Sequence, residues 1–93
     1  MTQLLSDDDI AARLTGSEWE RDEDEIVREW KFPDFAAAIA FVDRVAAVAE
    51  EANHHPDILL HGWNKVRLSM TNHSAGGLTE KDFVLAERFD GLA

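Results

Sequence analysis

Residues 57–72 run "DILLHGWNKVRLSMTN", and the reading of this stretch decides the fold. "DILLH" is a short apolar run of strand length, and His61-Gly62 marks a turn. In "NKVRLSMTN" the side chains alternate: Val66, Leu68 and Met70 point one way, and Lys65, Arg67, Ser69 and Thr71 the other. Two strands joined by so short a turn must pair antiparallel, because a parallel pair needs a crossover of a dozen or more residues.

Upstream of this hairpin lies the strongest helical pattern in the chain, residues 34–52. Pro33 precedes Asp34, a good N-cap, and Phe35, Ile39, Val42, Val45, Ala46 and Ala49 recur at steps of three and four. Phe41, Val48 and Ala52 widen that stripe, so the helix should lie along a sheet, with Asp43, Arg44, Glu50 and Glu51 on its wetter side. Further upstream, "SEWER" and "EIVREWKF" read as two more strands joined by the acidic turn "DEDE".

The two ends of the chain share one grammar. In "LLSDDDIAARLTG", Ser6 is an N-cap with Asp9 three residues on, Leu5 and Ile10 occupy staple positions, and Gly16 stops the helix. In "LTEKDFVLAERFDGL", Thr79 and Asp82 repeat the capping pattern, with Leu78 set against Phe83. The element order is therefore α-β-β-α-β-β-α. Hairpins in place of strand–helix–strand crossovers predict an α+β fold: a four-stranded antiparallel sheet with three helices packed on one face, forming a single domain over residues 1–93.

Composition narrows the function. The 93 residues are 45% hydrophobic and 30% charged, values of a globular protein, and they include no cysteine, which removes disulfide and thiolate chemistry. Nine basic residues are scattered among nineteen acidic ones, for a formal charge of −10. Such a chain has no basic stripe to release phosphate counterions, so direct binding of nucleic acid or of an anionic membrane is not expected. No apolar run approaches the ~20 residues of a membrane span. "MTQLLSDDDIAARL" has neither the basic start nor the long apolar segment of a signal peptide, which favours a cytoplasmic location. A small molecule or another protein is the expected partner.

The residues able to do chemistry cluster just before the hairpin. Glu50 and His54 stand four apart and share a helix face if the helix runs to Asn53. The carboxylate would then favour the protonated imidazole and suit His54 to general acid catalysis; the alternative is an exposed pair at a fraying helix end. Pro56 disfavours helix at His55, so His54 and His55 should point apart, one toward a cleft. A third histidine, His73, follows the last strand in "TNHSAGGLTEKD", either presented by the loop to a ligand or simply solvated there. The glycines of that loop do not have phosphate-loop spacing. Four histidines could ligate a metal, but none is four residues from another on a helix and no His-Glu-x-x-His occurs, so no metal is expected. Trp19 and Trp30 lie within strand patterns as core or interface residues. Trp63, in a turn between polar neighbours, is placed to stack on a planar ring.

Taken together, Glu50, His54-His55-Pro56, Trp63, His73 and Asp82, with "WNKVRLSMTNHSAGGLTEKD" around them, resemble the pattern of the pterin-4a-carbinolamine dehydratases over nearly the whole chain. The resemblance implies the family's fold and its reaction, loss of water from a 4a-hydroxytetrahydropterin to give the quinonoid dihydropterin in recycling the cofactor of aromatic amino-acid hydroxylases. It implies no metal and no organic cofactor, and assembly into a homodimer or homotetramer. By the same resemblance His54 and His73 are the acid/base pair, and His55 binds and orients the pterin. Glu50 holds His54, Trp63 lines the pocket, and Asp82 orients the His73 loop. Trp63 stands where Tyr is frequent, and the gap from Pro56 to Trp63 is at the long end of the family's range, which leaves His61 a bystander. A second reading is a non-catalytic dimerisation or assembly cofactor on the same scaffold.

Overall fold

The structure is a computed structural model and describes residues 3–93. Its elements follow the expected order: α1 (Asp7–Leu14), β1 (Glu20–Asp22), β2 (Glu25–Lys31), α2 (Phe35–Ala52), β3 (Asp57–His61), β4 (Lys65–Met70) and α3 (Glu80–Asp90). The four strands form one antiparallel sheet in the order β1-β2-β4-β3, with the three helices on one face.

Register and burial together explain which face is covered. Ile26, Trp30, Val66, Leu68 and Met70 are all buried, and the pairings Ile26↔Met70, Arg28↔Leu68 and Trp30↔Val66 put them on one side. Helix α2 answers with Ala38, Phe41, Val45 and Ala49, all buried, and α3 with Phe83, Leu85, Ala86 and Phe89. Trp30 anchors the contact, its ring 5.7 Å from Trp19 edge-on and 4.9 Å from Phe41. Burying aromatic rings of this size supplies much of the hydrophobic stabilisation available to a core this small.

Two expectations need correction. The buried stripe of α2 is rotated from the predicted one: Phe35 and Ile39 are 53% and 37% exposed. Apolar residues occur nearly all round this helix, so periodicity could not select a face; contact of Phe41 with Trp30 and Phe32 selects it. The first strand is also shorter than "SEWER". The Ser17 hydroxyl accepts the Trp19 backbone N–H, and the Trp19 indole N–H donates to Asp90 at 2.8 Å, which draws this segment toward α3 and leaves only Glu20–Asp22 to pair. Among the described residues no helix is long and apolar enough to cross a membrane.

Candidate functional site

The chain leaves α2 abruptly. Asn53 takes the left-handed conformation (φ 52°, ψ 42°), its N–H donates to Glu50, and the His54 N–H donates back to Ala49. This is a Schellman closure, with asparagine in the place usually held by glycine. It ends the helical register before His54, so the four-residue step from Glu50 to His54 does not bring those side chains together. Glu50 instead meets His55, its Oε1 at 2.9 Å from Nε2.

His54 turns the other way, toward the start of α3. Its Nε2 lies 2.5 Å from Oδ1 of Asp82, a carboxylate with no exposed surface. The second oxygen of Asp82 accepts both the backbone N–H of Thr79 at 2.8 Å and the Thr79 hydroxyl at 3.1 Å. The helix cap and the histidine partner are thus one side chain. An ionised carboxylate can accept on both oxygens but donate nothing, so the shared hydrogen on the short contact belongs to the His54 ring. That fixes the proton of neutral His54 on Nε2 and leaves Nδ1 for a ligand. The position of Asp82 in the first turn of a helix further stabilises its charge.

His73 arrives from the other side. After β4, Asn72 closes a six-residue loop: it exchanges backbone hydrogen bonds with Gly77, and its side chain accepts the Ala75 N–H. Gly76 (φ 83°) makes the turn a side chain would strain. His73 stands exposed on this loop and, with His54, His55, Asn53, Thr71 and Ser74, lines a small cleft of about 220 Å³. On its far side His73 also borders an acidic hollow formed by Asp22–Glu25 and Asp57. A larger hollow of about 530 Å³ at the β1–β2 edge contains no histidine and is set apart from this chemistry.

The structure therefore gathers His54, His55 and His73, with Glu50 on His55 and Asp82 on His54. It does not bring Trp63 to them. Trp63 sits at the tip of the β3–β4 hairpin, 62% exposed, with φ 60°. Strand β3 starts beside the histidines and carries the chain roughly 15–20 Å away before that tip. His61 is likewise remote, held by Glu29 on the uncovered face of the sheet. Among the described residues no three His, Asp or Glu side chains are arranged to hold a metal ion. Sequence reasoning missed the His54–Asp82 contact and the role of Asn53. An asparagine at the end of a helical pattern was the available signal for the second.

Comparison with known proteins agrees with these elements. Residues 3–92 match the family described as Pterin 4 alpha carbinolamine dehydratase. A protein of Natronomonas pharaonis named for the pterin-4-alpha-carbinolamine dehydratases is 46% identical over 93 residues, covering 100% of this chain and 99% of that one. A similarly named protein of Chloroflexus aurantiacus is 52% identical over 89 residues, 95% of each chain. Among solved structures, a transcriptional coactivator/pterin dehydratase from Brucella melitensis superposes with a TM-score of 0.89 at 29% identity, covering 96% of this chain and 97% of that one. A pterin dehydratase-like RuBisCO assembly factor of the alpha-carboxysome superposes with a TM-score of 0.66 at 28% identity, over 81% and 86%.

Proposed function

The chain belongs to the pterin 4 alpha carbinolamine dehydratase family, and from that premise we propose that it removes water from 4a-hydroxytetrahydropterin, with the three-histidine cleft as its active site. The observation that supports the assignment of the site is the meeting of His54, His55 and His73 around one small opening from two separate stretches of backbone, the end of α2 and the loop after β4.

The chemistry needs two proton transfers. The C4a hydroxyl must leave as water, so its oxygen gains a proton as the C–O bond breaks. The ring N5–H must lose its proton as its electron pair forms the C4a=N5 bond. His54 is the base: Asp82 fixes its tautomer and stabilises the imidazolium formed when Nδ1 takes the N5 proton. His73 is the acid that delivers a proton to the departing hydroxyl. Solvent then returns one proton from His54 to His73, and the cycle balances. Each such transfer contributes ~10²–10⁴ in rate. His55, half-exposed and tethered by Glu50, binds the edge of the pterin. Asp82 is a positioning residue acting through His54, which it contacts directly, where the resemblance implied a role on the His73 loop.

The rest of the reading follows from the resemblance. The chain works as a single domain over residues 1–93, in the cytoplasm, as a homodimer or homotetramer. An aromatic amino-acid hydroxylase, which would supply its substrate, is the functional partner. The test is dehydration of freshly generated carbinolamine followed by stopped flow against the spontaneous rate. Acceleration that disappears in the His54→Ala, His73→Ala double variant supports the reading. Wild-type rates in that variant remove the catalytic assignment, and no acceleration by the wild type leaves the assembly role suggested by the likeness to the RuBisCO assembly factor.

A further inference from the structure

The two edges of the sheet are unlike. Strand β1 has three residues, Glu20, Arg21 and Asp22, all exposed and charged, which is how proteins protect an edge from pairing. Strand β3 has five, and its centre, Ile58-Leu59-Leu60, is apolar, with Ile58 and Leu59 39% and 53% exposed. An uncovered apolar edge with unpaired backbone groups is a template for another strand.

A second copy of β3 fits it. Antiparallel pairing about a two-fold axis at Leu59 sets Leu59 against Leu59, Ile58 against the partner's Leu60, and Asp57 against the partner's His61. Every match is like with like or acid with base. Asp57, Leu59 and His61 share the uncovered face, since they pair with Ser69, Arg67 and Lys65, so the match also preserves the faces of the sheet. Shifting the register by two sets His61 or Asp57 against a leucine. Within this edge Asp57 and His61 are the only ionisable groups, so the strong acidity of the chain does not oppose the contact. Pro56, without an N–H, ends the ladder where the partner's turn begins.

The same register resolves the position of Trp63. The ladder stops at the pair of Asp57 with the partner's His61, and the partner's chain then turns back over residues 62–64. Its exposed tip, with Trp63, so comes next to the end of β3 that adjoins Pro56 and His55. We infer that the histidine cleft is completed in trans: the indole of Trp63 from a second copy walls the cleft next to His55, where it can stack on the bound ring. The strained backbone of Trp63 fits that duty. A bulky residue at positive φ is uncommon, and here Asn64 fixes the tip by hydrogen-bonding Phe32 through both side chain and backbone, so the indole is held out from its own core.

The stacking role rests on the cleft being the pterin site, whereas the geometry does not, and the test separates them. The chain has no cysteine, so introduced thiols report cleanly. Leu59→Cys should oxidise to a linked dimer, because paired residues of an antiparallel ladder have Cα atoms ~4.5–5.5 Å apart, within disulfide reach. A His55→Cys chain mixed with a Trp63→Cys chain should cross-link through a short bismaleimide, and neither should do so alone. Leu59→Lys should sediment as a smaller species. In activity, Trp63→Ala should raise KM about tenfold, as expected for loss of one ring stack. Mixing Trp63→Ala with His54→Ala should restore about a quarter of wild-type sites, since half of randomly assorted pairs are mixed and each has one intact cleft. Absence of the mixed cross-link, or a mixture no more active than its separate components, overturns the inference while dehydration by the wild type stands. Cysteine variants that cross-link as expected, together with a wild type that does not dehydrate, remove the pterin reading and spare the edge geometry.

Discussion

His54 and His55 are neighbours in the chain with opposite surroundings. The His54 side chain is 12% exposed and faces a fully buried Asp82; the His55 side chain is 55% exposed and faces a Glu50 that is 79% exposed. Both are imidazole–carboxylate pairs, yet their energetics differ in kind. The exposed pair is solvated on both sides and contributes ~0–1 kcal/mol. The inner pair shares a carboxylate that water cannot reach, so removing either partner strands a polar group. A single left-handed residue, Asn53, separates the two fates by swinging the chain out of the helix just before His54. Adjacent residues thus acquire different burial and different partners without any domain-scale machinery.

The sharpest way to break the comparison is to delete the inner ring. His54→Ala should lower kcat by ~10²–10⁴, the usual range for a lost acid or base. It should also cost about 1–3 kcal/mol in urea unfolding, because Asp82 loses a partner. His73→Ala should match that loss of rate yet leave stability within about 0.5 kcal/mol, since His73 stands in solvent. Equal loss of stability in both variants would contradict the distinction. Next in size is the carboxylate. Asp82→Ala should destabilise by about 3–5 kcal/mol, leaving the Thr79 N–H without its acceptor. Asp82→Asn, which retains an acceptor for Thr79, should fold and lower kcat ~10–100-fold with little change in KM, as for a group that orients another. A change confined to stability would mean that Asp82 serves only as a cap.

Much of this was legible in the residues. The hairpin 57–72 announced itself through the alternation of Val66, Leu68 and Met70, and Ser6, Asp34 and Thr79 marked the helix starts because capping chemistry is local. The three histidines were legible as a set through their resemblance to a spaced family pattern. What could not be read was how they are partnered. Glu50 pairs with His55 rather than His54 because the helix ends in a Schellman turn one residue earlier than an even continuation allows. Asp82 reaches His54 because α3 folds back beside the end of α2, a long-range contact that no local spacing records. The face of α2 was illegible for another reason: its apolar residues nearly encircle it, and only the aromatic cluster at Trp30 and Phe41 breaks the tie.

The turn at Asn53 gives an intermediate test. Asn53→Gly, which accepts φ 52° freely, should keep stability within about 0.5 kcal/mol and leave the rate near wild type. Asn53→Val, for which the left-handed region is strained, should cost about 1–2 kcal/mol. It should also lower kcat, because the turn it distorts is what delivers His54 to Asp82. A valine variant with full activity would show that the His54 ring finds its partner whatever turn precedes it.

The smallest effects belong to the outer pair, and they test whether binding and chemistry are truly divided. His55→Ala should raise KM about tenfold, the worth of one hydrogen bond to the ring, while kcat holds. Glu50→Gln removes only the charge from a partner that solvent already screens. It should change KM about twofold or less and stability by under about 0.5 kcal/mol. Raising salt should erase even that difference, since the interaction it removes is an exposed Coulombic one. If Glu50→Gln instead lowered kcat as strongly as Asp82→Asn, the outer carboxylate would have to act on the reacting atoms, and Glu50 would belong with His54 after all.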